Sequence, residues 1–259
     1  MTHPNFLLNT RVLVIGGSSG IGFAVASGAL ANGSRVHITS LTAEKLSTKI
    51  AQLQSLYPNA HVSGSTVDLS HVETLEENLK SVLAAAVAQT GGPLDHIVYT
   101  AGDLPDRVPL AETTAPAALA IFTVRYLGSL LVGKLIAASP GQYLNPALSS
   151  SITLTSGVGA HRPRPGSSAL IPVGAAVEAL SRGLAVDLAP IRVNVVIPGA
   201  VHTELVEKMT GGNVDVFKAG TLTKTLGTPE GAAEAYLFCM RSALATGQGF
   251  VVDNGFLIA

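Results

Sequence analysis

The sequence predicts a single α/β domain built on a doubly wound parallel sheet. Short apolar runs alternate with longer helical patterns along all 259 residues, 47% of which are hydrophobic. Parallel strands joined by crossover helices produce this alternation. Because no linker interrupts it, we expect residues 1–259 to form one domain.

Seven apolar runs are the predicted strands. They begin, in chain order, at Arg11, Arg35, His61, Asp95, Ser151, Arg192 and Gly249. Such runs are apolar on both faces because helices cover both sides of a parallel sheet, and about six crossover helices are expected. Ligands bind these sheets at the carboxyl ends of the strands, so the residues that follow each run are candidates for a site.

The segment 202–229 departs from the alternation. It follows a predicted strand and carries glycines among helix-compatible pieces, at Gly211, Gly212, Gly220 and Gly227. We expect a mobile lid over the site here. A plain surface insertion is the alternative.

The composition limits the partners. The formal net charge is -1 and only 13% of residues are charged. Without a basic run interleaved with aromatic residues, nucleic acid is not expected as a partner. A low charged fraction indicates a large core or a surface covered by subunits, so we expect a homodimer or homotetramer formed through the fourth and fifth crossover helices. Light scattering after size exclusion would contradict this by showing only monomer.

We expect no export signal in this chain. Its single cysteine, Cys239, cannot form an internal disulfide, and the first ten residues lack the basic region and apolar core of a signal peptide. No unbroken apolar run approaches the ~20 residues that span a bilayer. We expect a cytoplasmic protein without a membrane partner, and no metal site.

A glycine-rich turn follows the first predicted strand. The stretch "GGSSGIG" supplies the expected cofactor residues Gly16, Ser18, Ser19, Gly20, Ile21 and Gly22. Glycines permit a tight turn and let the backbone approach a pyrophosphate, which the N-terminus of the next helix then holds. The flanking strand and helix, with a second strand about 20 residues on, predict a dinucleotide site.

The end of the second strand indicates which dinucleotide binds. An acid there would bind the ribose 2′-OH and repel a 2′-phosphate, but the chain has no acid before Glu44. NADP(H) is therefore favoured over NAD(H), with Ser18, Ser40, Thr42 and Lys45 as expected phosphate ligands. The alternative is ordinary helix capping, with Thr42 as the N-cap and Lys45 at the third helical position.

The combination of motifs resembles the short-chain dehydrogenase/reductase family over essentially the full chain. The motifs are "GGSSGIG", Asp68 after the third strand, "TAG" at 100–102, Ser156 after the fifth strand, and "RVNVVIPGAVHT" at 192–203. The resemblance implies a nicotinamide cofactor whose adenine meets Asp68. It also implies cofactor contacts at Leu69, Ala101, Gly102, Pro198, Gly199, Val201 and Thr203.

The chain departs from the family at the catalytic set, which is an Asn, a Ser and a Tyr-x-x-x-Lys. Ser156 matches the Ser, and Arg125 takes the place of the Asn. An ungapped alignment from Arg192 backward puts Leu170 where the Tyr belongs and Gly174 where the Lys belongs. We therefore expect Ser156 and Arg125 to be the catalytic residues, although Arg125 is alternatively an interface residue.

Loss of the Tyr favours a particular substrate. General acid catalysis is worth roughly 10²- to 10⁴-fold, and leucine has no proton to give. Hydride addition to a cationic C=N⁺ yields a neutral amine without protonation of the acceptor atom. The predicted function is an NADPH-dependent reductase of an imine, an iminium or a conjugated acceptor in small-molecule, secondary metabolism. The alternative is a non-redox isomerase or cyclase, or an NADP(H)-binding protein.

Two further stretches narrow the resemblance. "HRPRPG" at 161–166 and "GAAVEAL" at 174–180 resemble a subgroup that includes reductase/Diels–Alderases of fungal indole-alkaloid pathways. That resemblance implies iminium reduction by NADP(H), with an Arg in the site that matches Arg125. It also implies an acid in the loop after the fifth strand, where this chain has Arg164. His161 in this loop is either a polar site residue or part of a rigid surface loop.

Overall fold

The structure, a computed structural model, describes residues 4–102 and 109–259. Its centre is a seven-stranded parallel sheet in the order β3-β2-β1-β4-β5-β6-β7. The strands are β1 (Arg11–Ile15), β2 (Arg35–Ser40), β3 (Val62–Thr66), β4 (His96–Tyr99), β5 (Ser151–Thr155), β6 (Arg192–Pro198) and β7 (Gly249–Val252). All seven predicted strands are confirmed, and each begins at the predicted residue or one residue later.

Long helices cover both faces of the sheet. They are α1 (Gly20–Ala31), α2 (Ala43–Leu56), α3 (Val72–Thr90), α5 (Gly128–Ala138), α6 (Ile171–Asp187) and α9 (Pro229–Arg241). Side chains of β1 alternate between two buried cores, with Leu13 and Ile15 facing α3, α5 and α6, and Val12 and Val14 facing α1 and α9. Burial on both faces explains the continuous apolar runs.

Three short helices fall outside the predicted crossover helices, and one of them lies in a piece of 202–229 that the sequence indicated as helix-compatible. Within the described residues they are α4 (Ala115–Ala120), α7 (Glu204–Thr210) and α8 (Asp215–Lys218). They have 6, 7 and 4 residues and no fully buried positions, so they lack the repeating apolar stripe that identifies longer helices. The expectation of about six helices therefore holds for the long crossover helices alone.

A continuous helical stretch, 115–138, joins α4 to α5 through a π-helical turn at Thr123–Leu127. Its 24 residues are long and apolar enough to cross a membrane by length and composition alone, a test that core helices also pass. This stretch is not an unbroken apolar run in the sequence, because polar residues such as Arg125 and Lys134 interrupt it. In the structure, Val132, Leu135 and Ile136 of α5 are buried in the core.

The surface around α6 bears on assembly. Ala175, Ala179 and Val186 are exposed on this helix, and Val186 keeps 77% of its surface accessible. The homodimer or homotetramer expected from the composition stays a prediction.

Two histidines are buried within the sheet. The rings of His37 on β2 and His96 on β4 hydrogen-bond serine hydroxyls at 2.8 to 2.9 Å, those of Ser63, Ser65 and Ser151. Desolvation by burial lowers the pKa of His37 to about 4 and that of His96 to about 3. Both rings therefore stay neutral under conditions where an unfolded chain protonates them.

We expect the free energy of unfolding to fall as the pH drops from about 7 to about 5. A histidine with a lowered pKa contributes stability above the unfolded value of about 6.5, and that stability is lost toward the folded value. Each buried histidine lowers the free energy of unfolding by up to about 1.4 kcal/mol for each pH unit of this drop. Urea unfolding at the two pH values measures the loss, and His37→Asn should flatten its slope. Equal stability at both pH values would contradict the expectation.

Candidate active site

A cavity of about 520 Å³ opens at the carboxyl edge of the sheet. The turn after β1 and the loops after β4, β5 and β6 contribute to its lining, together with the N-terminal part of α6 and residues of 202–229. Strand ends at this edge are where doubly wound sheets bind ligands. The order of the strands thus brings the motifs that follow four of them to one site.

The glycine-rich turn fits closely against β1 and β4. At Gly16, where φ is +88°, a Cβ would lie 2.6 Å from the backbone nitrogen of Ala101. At Gly22, a Cβ would lie 2.3 Å from the carbonyl oxygen of Gly16. The backbone N–H of Gly16 donates to the Thr39 hydroxyl at 2.9 Å, a support that the sequence did not indicate. The turn therefore requires glycine and leaves backbone rather than side chain facing a ligand.

The N-terminus of α1 faces the same cavity. Ser19 is its N-cap but makes no side-chain capping bond, and the first turn carries no acidic residue. Gly20, Ile21 and Gly22 all line the cavity. Uncapped N–H groups and the positive end of the helix dipole suit a pyrophosphate, so this turn fits the predicted dinucleotide.

The end of β2 presents a buried hydroxyl. The Ser40 Oγ has no hydrogen-bond partner among the described residues, and Ser40 is only 5% exposed. An unpaired buried hydroxyl costs free energy, but Ser40 lies outside the cavity lining, so its role as a phosphate ligand stays a prediction. Thr42 instead caps α2 by accepting from the Lys45 N–H at 3.3 Å, as the capping alternative expected.

The structure separates the expected cofactor residues by their position. Residues that line the cavity are Gly16, Ser19, Gly20, Ile21, Gly22, Lys45, Gly102, Pro198, Gly199, Val201 and Thr203. Outside that lining lie Ser18, Ser40, Thr42, Asp68, Leu69 and Ala101. The Asp68 carboxylate accepts bonds from the hydroxyl and N–H of Ser70, which lower the pKa of Asp68.

Arg125 lies in the π-helical turn before α5 and lines the cavity. Its Nη1 donates to the backbone carbonyl oxygen of Ser156 at 3.3 Å. A Cβ on Gly102 would lie 2.4 Å from Nη2, so this glycine makes room for the guanidinium. Single π-helical turns often occur at functional sites because they redirect a side chain. The sequence predicted the residue but not this turn.

Ser156 follows β5 and begins a chain of hydrogen bonds. Its hydroxyl donates to Glu178 Oε1 at 2.6 Å, and Glu178 Oε2 lies 2.9 Å from His161 Nε2. The sequence had indicated Ser156 and His161, but not Glu178. Glu178 is four residues after Gly174 on α6, and residues four apart share a helix face, so helical spacing was the signal that pointed to it.

The loop after β5 places two arginines against aromatic rings of α8 and of the C-terminus. The Arg162 guanidinium lies 4.6 Å from the ring centre of Phe256, and that of Arg164 lies 4.5 Å from the ring centre of Phe217. All four residues line the cavity. Stacked arginines present a flat, cationic surface to a substrate.

The segment 202–229 contributes to the mouth of the cavity. Thr203 caps α7 by accepting from the Val206 N–H, and the Glu204 carboxylate accepts from Lys45 Nζ at 3.0 Å. That bond lowers the pKa of Glu204. The expectation that this segment moves as a lid stays a prediction.

Comparisons with known proteins agree with this geometry. A family model described as the SDR-like Rossmann domain matches residues 3–259. The chain belongs to the short-chain dehydrogenase/reductase family. The family and the doubly wound fold predicted from the sequence are thus confirmed. This family consists of oxidoreductases whose Rossmann fold binds a nicotinamide cofactor.

Members of this family from fungi and bacteria are similar to this chain along nearly their whole lengths. The short-chain dehydrogenase/reductase ucsE of an Acremonium species is 39% identical, over 96% of this chain and 95% of the relative. The solved structure of the MalC reductase/Diels-Alderase from Malbranchea aurantiaca is 36% identical, with a TM-score of 0.92 over 98% of this chain and 99% of that one. A short-chain dehydrogenase from Burkholderia cenocepacia in complex with NADP is 25% identical, with a TM-score of 0.83 over 96% of this chain and 98% of that one.

The two positions that the ungapped alignment from Arg192 predicts for the family's Tyr and Lys both line the cavity. Leu170 precedes α6, and Gly174 lies in its first turn. A Cβ on Gly174 would lie only 2.9 Å from the Ser156 Oγ. A lysine at this position of the short-chain dehydrogenase/reductase fold would therefore displace the serine hydroxyl in this chain.

Proposed function

We propose that this chain is an NADPH-dependent reductase of a cationic C=N⁺ or a conjugated acceptor in small-molecule, secondary metabolism. One observation carries the proposal: among the described residues, no tyrosine lines the cavity that holds Ser156 and the glycine-rich turn. The lysines that do line it, Lys45 and Lys208, come from α2 and α7 rather than from α6.

The proposed division of labour follows from the positions of the residues. The reduced nicotinamide supplies hydride when bound. The turn at Gly16 and the N-terminus of α1 would hold the pyrophosphate of the dinucleotide through backbone N–H groups. Ser156 contacts the acceptor, and Arg125 anchors a carbonyl-bearing part of the substrate with its planar fork of donors. Arg125, Arg162 and Arg164 all line the cavity, and all three face parts of the substrate other than the reacting cation, since like charges repel.

Two relatives support the class of activity. MalC is described as a reductase/Diels-Alderase, and this chain resembles it over almost its full length. The Burkholderia structure holds NADP. Reduction is favoured over cycloaddition here because Arg164 stands where the subgroup resemblance implies an acid, and Arg164 stacks on Phe217.

We expect NADPH to bind more tightly than NADH, and Ser40→Asp to reverse the order. An acid at the end of β2 repels the 2′-phosphate and accepts from the ribose hydroxyls. Calorimetric titration of both cofactors into native and variant protein measures this, with Ser47→Asp on the exposed surface of α2 as the control. Tighter binding of NADH by the native protein would contradict the proposal.

NADPH consumption with a panel of imines, iminium salts, enones and ketones tests the function. We expect the native protein to turn over C=N⁺ or conjugated acceptors and to show no measurable turnover of simple ketones. Brisk reduction of an ordinary ketone would overturn the argument from the missing tyrosine.

The second candidate is a non-redox isomerase or cyclase that uses the cavity as a mould. Apolar side chains that line the cavity favour it, namely those of Ile121, Val124, Leu170 and Ile171. Conversion of a panel compound to an isomer without NADPH oxidation would identify this activity.

A further inference from the structure

Glu178 accepts two hydrogen bonds beside the cavity, one of them from Ser156, which lines it. The Ser156 hydroxyl donates to Oε1 at 2.6 Å, and the His161 ring lies 2.9 Å from Oε2. The Glu178 side chain is 14% exposed, whereas that of His161 is 42% exposed. A separation of 2.6 Å is typical of a hydroxyl bonded to a charged carboxylate, so the pair is a strong one.

This bond fixes what Ser156 offers to a ligand. A hydroxyl has one proton to donate and two lone pairs to accept with, whereas an ionised carboxylate only accepts. Because the Ser156 proton is directed to Glu178, acceptor capacity is what remains for a molecule in the cavity. A ketone oxygen needs a donor, so this serine suits a substrate that itself carries an N–H.

Gly174 allows the arrangement. A side chain there would meet the Ser156 Oγ at 2.9 Å and the Ala160 Cβ at 3.2 Å. With glycine in that position, α6 lies close to the end of β5, and the carboxylate one turn further along reaches the hydroxyl. The same face of α6 thus carries an anion one turn beyond the position where the family resemblance implies the lysine cation.

Opposite charges lie on the two sides of Ser156. Arg125 bonds its backbone carbonyl oxygen at 3.3 Å, while Glu178 bonds its hydroxyl. The Glu178 carboxylate stabilises a positive charge of the substrate near the Ser156 hydroxyl. The Arg125 guanidinium disfavours a positive charge near the Ser156 carbonyl. A substrate that matches this polarity has its protonated nitrogen at the Ser156 Oγ and a carbonyl toward Arg125.

We propose that Glu178, acting through Ser156, selects substrates whose reacting nitrogen carries a proton, that is, protonated imines. The inference rests on the proposed reduction of C=N⁺ and narrows it. Hydride forms a C–H bond at the carbon, the π electron pair returns to nitrogen, and the nitrogen keeps its proton as a neutral amine. The cofactor is oxidised, and no proton passes through Ser156. Glu178 is a positioning residue, since it acts by orienting the serine hydroxyl.

A matched pair of substrates tests this selection. The probes are a methyl-substituted dihydroisoquinoline, which is protonated on nitrogen in neutral buffer, and its N-methylated iminium salt, which has no N–H. We expect native protein with NADPH to favour the protonated imine by about 10- to 100-fold in kcat/KM, the range for a hydrogen bond to a charged group. A native ratio near one, with turnover of both, would overturn the inference.

Variants separate the hydrogen bond from general damage. Glu178→Leu should bring the ratio close to one, because leucine cannot accept from Ser156 and the hydroxyl is then released to donate forward. The matched control is Glu76→Leu, which removes an exposed Lys134–Glu76 pair outside the cavity lining and should leave the ratio unchanged. Ser156→Ala removes the acceptor and should also abolish the preference, which keeps the test decisive if the Leu variant does not fold. An unchanged ratio in folded Glu178→Leu or Ser156→Ala would overturn the inference.

A binding readout distinguishes this inference from the proposed function. Titration of the NADP⁺ complex with the secondary ammonium product and with its N,N-dimethyl ammonium analogue requires no turnover. Preference for the ammonium that bears N–H groups, without NADPH oxidation by either substrate, supports the inference and contradicts reduction. Turnover without any preference in rate or binding contradicts the inference and supports reduction.

Discussion

Replacing Gly20 by aspartate is expected to abolish NADPH binding. Gly20 opens α1 with a φ of +49°, and a Cβ there would lie 3.0 Å from the Thr203 Cγ2. The new carboxylate would lie at the positive end of the helix dipole, where the pyrophosphate needs to bind. Since an acid stabilises a helix N-terminus, we expect the fold to persist while affinity falls at least about 100-fold.

Two controls isolate the effect of the charge. Gly20→Ala introduces the backbone strain and the Thr203 contact without a charge, so it should weaken binding less. Gly183→Asp adds a carboxylate on α6 where nothing lies within 4 Å of the new Cβ, and it should bind NADPH as the native protein does. Calorimetric titration measures all three variants. Native affinity in Gly20→Asp would refute the assignment of this turn.

The second large effect is expected at Arg125. Its guanidinium bonds the Ser156 carbonyl oxygen and lies against Gly102, inside the cavity. We expect Arg125→Ala to lower kcat/KM about 10- to 100-fold, the equivalent of ~1.4–2.8 kcal/mol, with little change in NADPH affinity. Arginine stays charged at neutral pH and cannot act as a proton shuttle, so the loss reflects lost anchoring of the substrate.

Stopped-flow hydride transfer and cofactor titration measure the Arg125 variant. Arg125→Lys keeps the charge without the planar fork and should recover only part of the rate. Arg241→Ala, on α9 outside the cavity lining, is the matched control and should behave as the native protein does. Native kinetics in Arg125→Ala would contradict a role in catalysis and favour the alternative that Arg125 is an interface residue.

The sequence predicted those parts of the fold that depend on local patterns. The run at Arg11 was predictable as a strand because its successive side chains, such as Val12 and Leu13, are apolar and are buried on opposite faces of the sheet. The glycine-rich turn was predictable for the same reason, since its spacing is read within one strand–turn–helix unit. Glu178 was also within reach, because it lies one helical turn from Gly174.

Other parts of the site arise from contacts between distant segments. Arg164 meets Phe217 and Phe256 only because the loop after β5, α8 and the C-terminus converge on the cavity. The π-helical turn around Arg125 was not predicted, since π-helical turns are rare and occur mostly as single turns inside α-helices. Tertiary packing decides such features, and a single sequence does not encode them locally.

Transfer of deuterium from deuterated NADPH tests the central claim most directly. The native protein is incubated with a protonated cyclic imine and with NADPH that carries deuterium at the transferable position of the nicotinamide. We expect an amine product with one deuterium on the former C=N⁺ carbon, formed in step with NADPH oxidation. A rearranged or cyclised product without deuterium, with the NADPH unchanged, would contradict it.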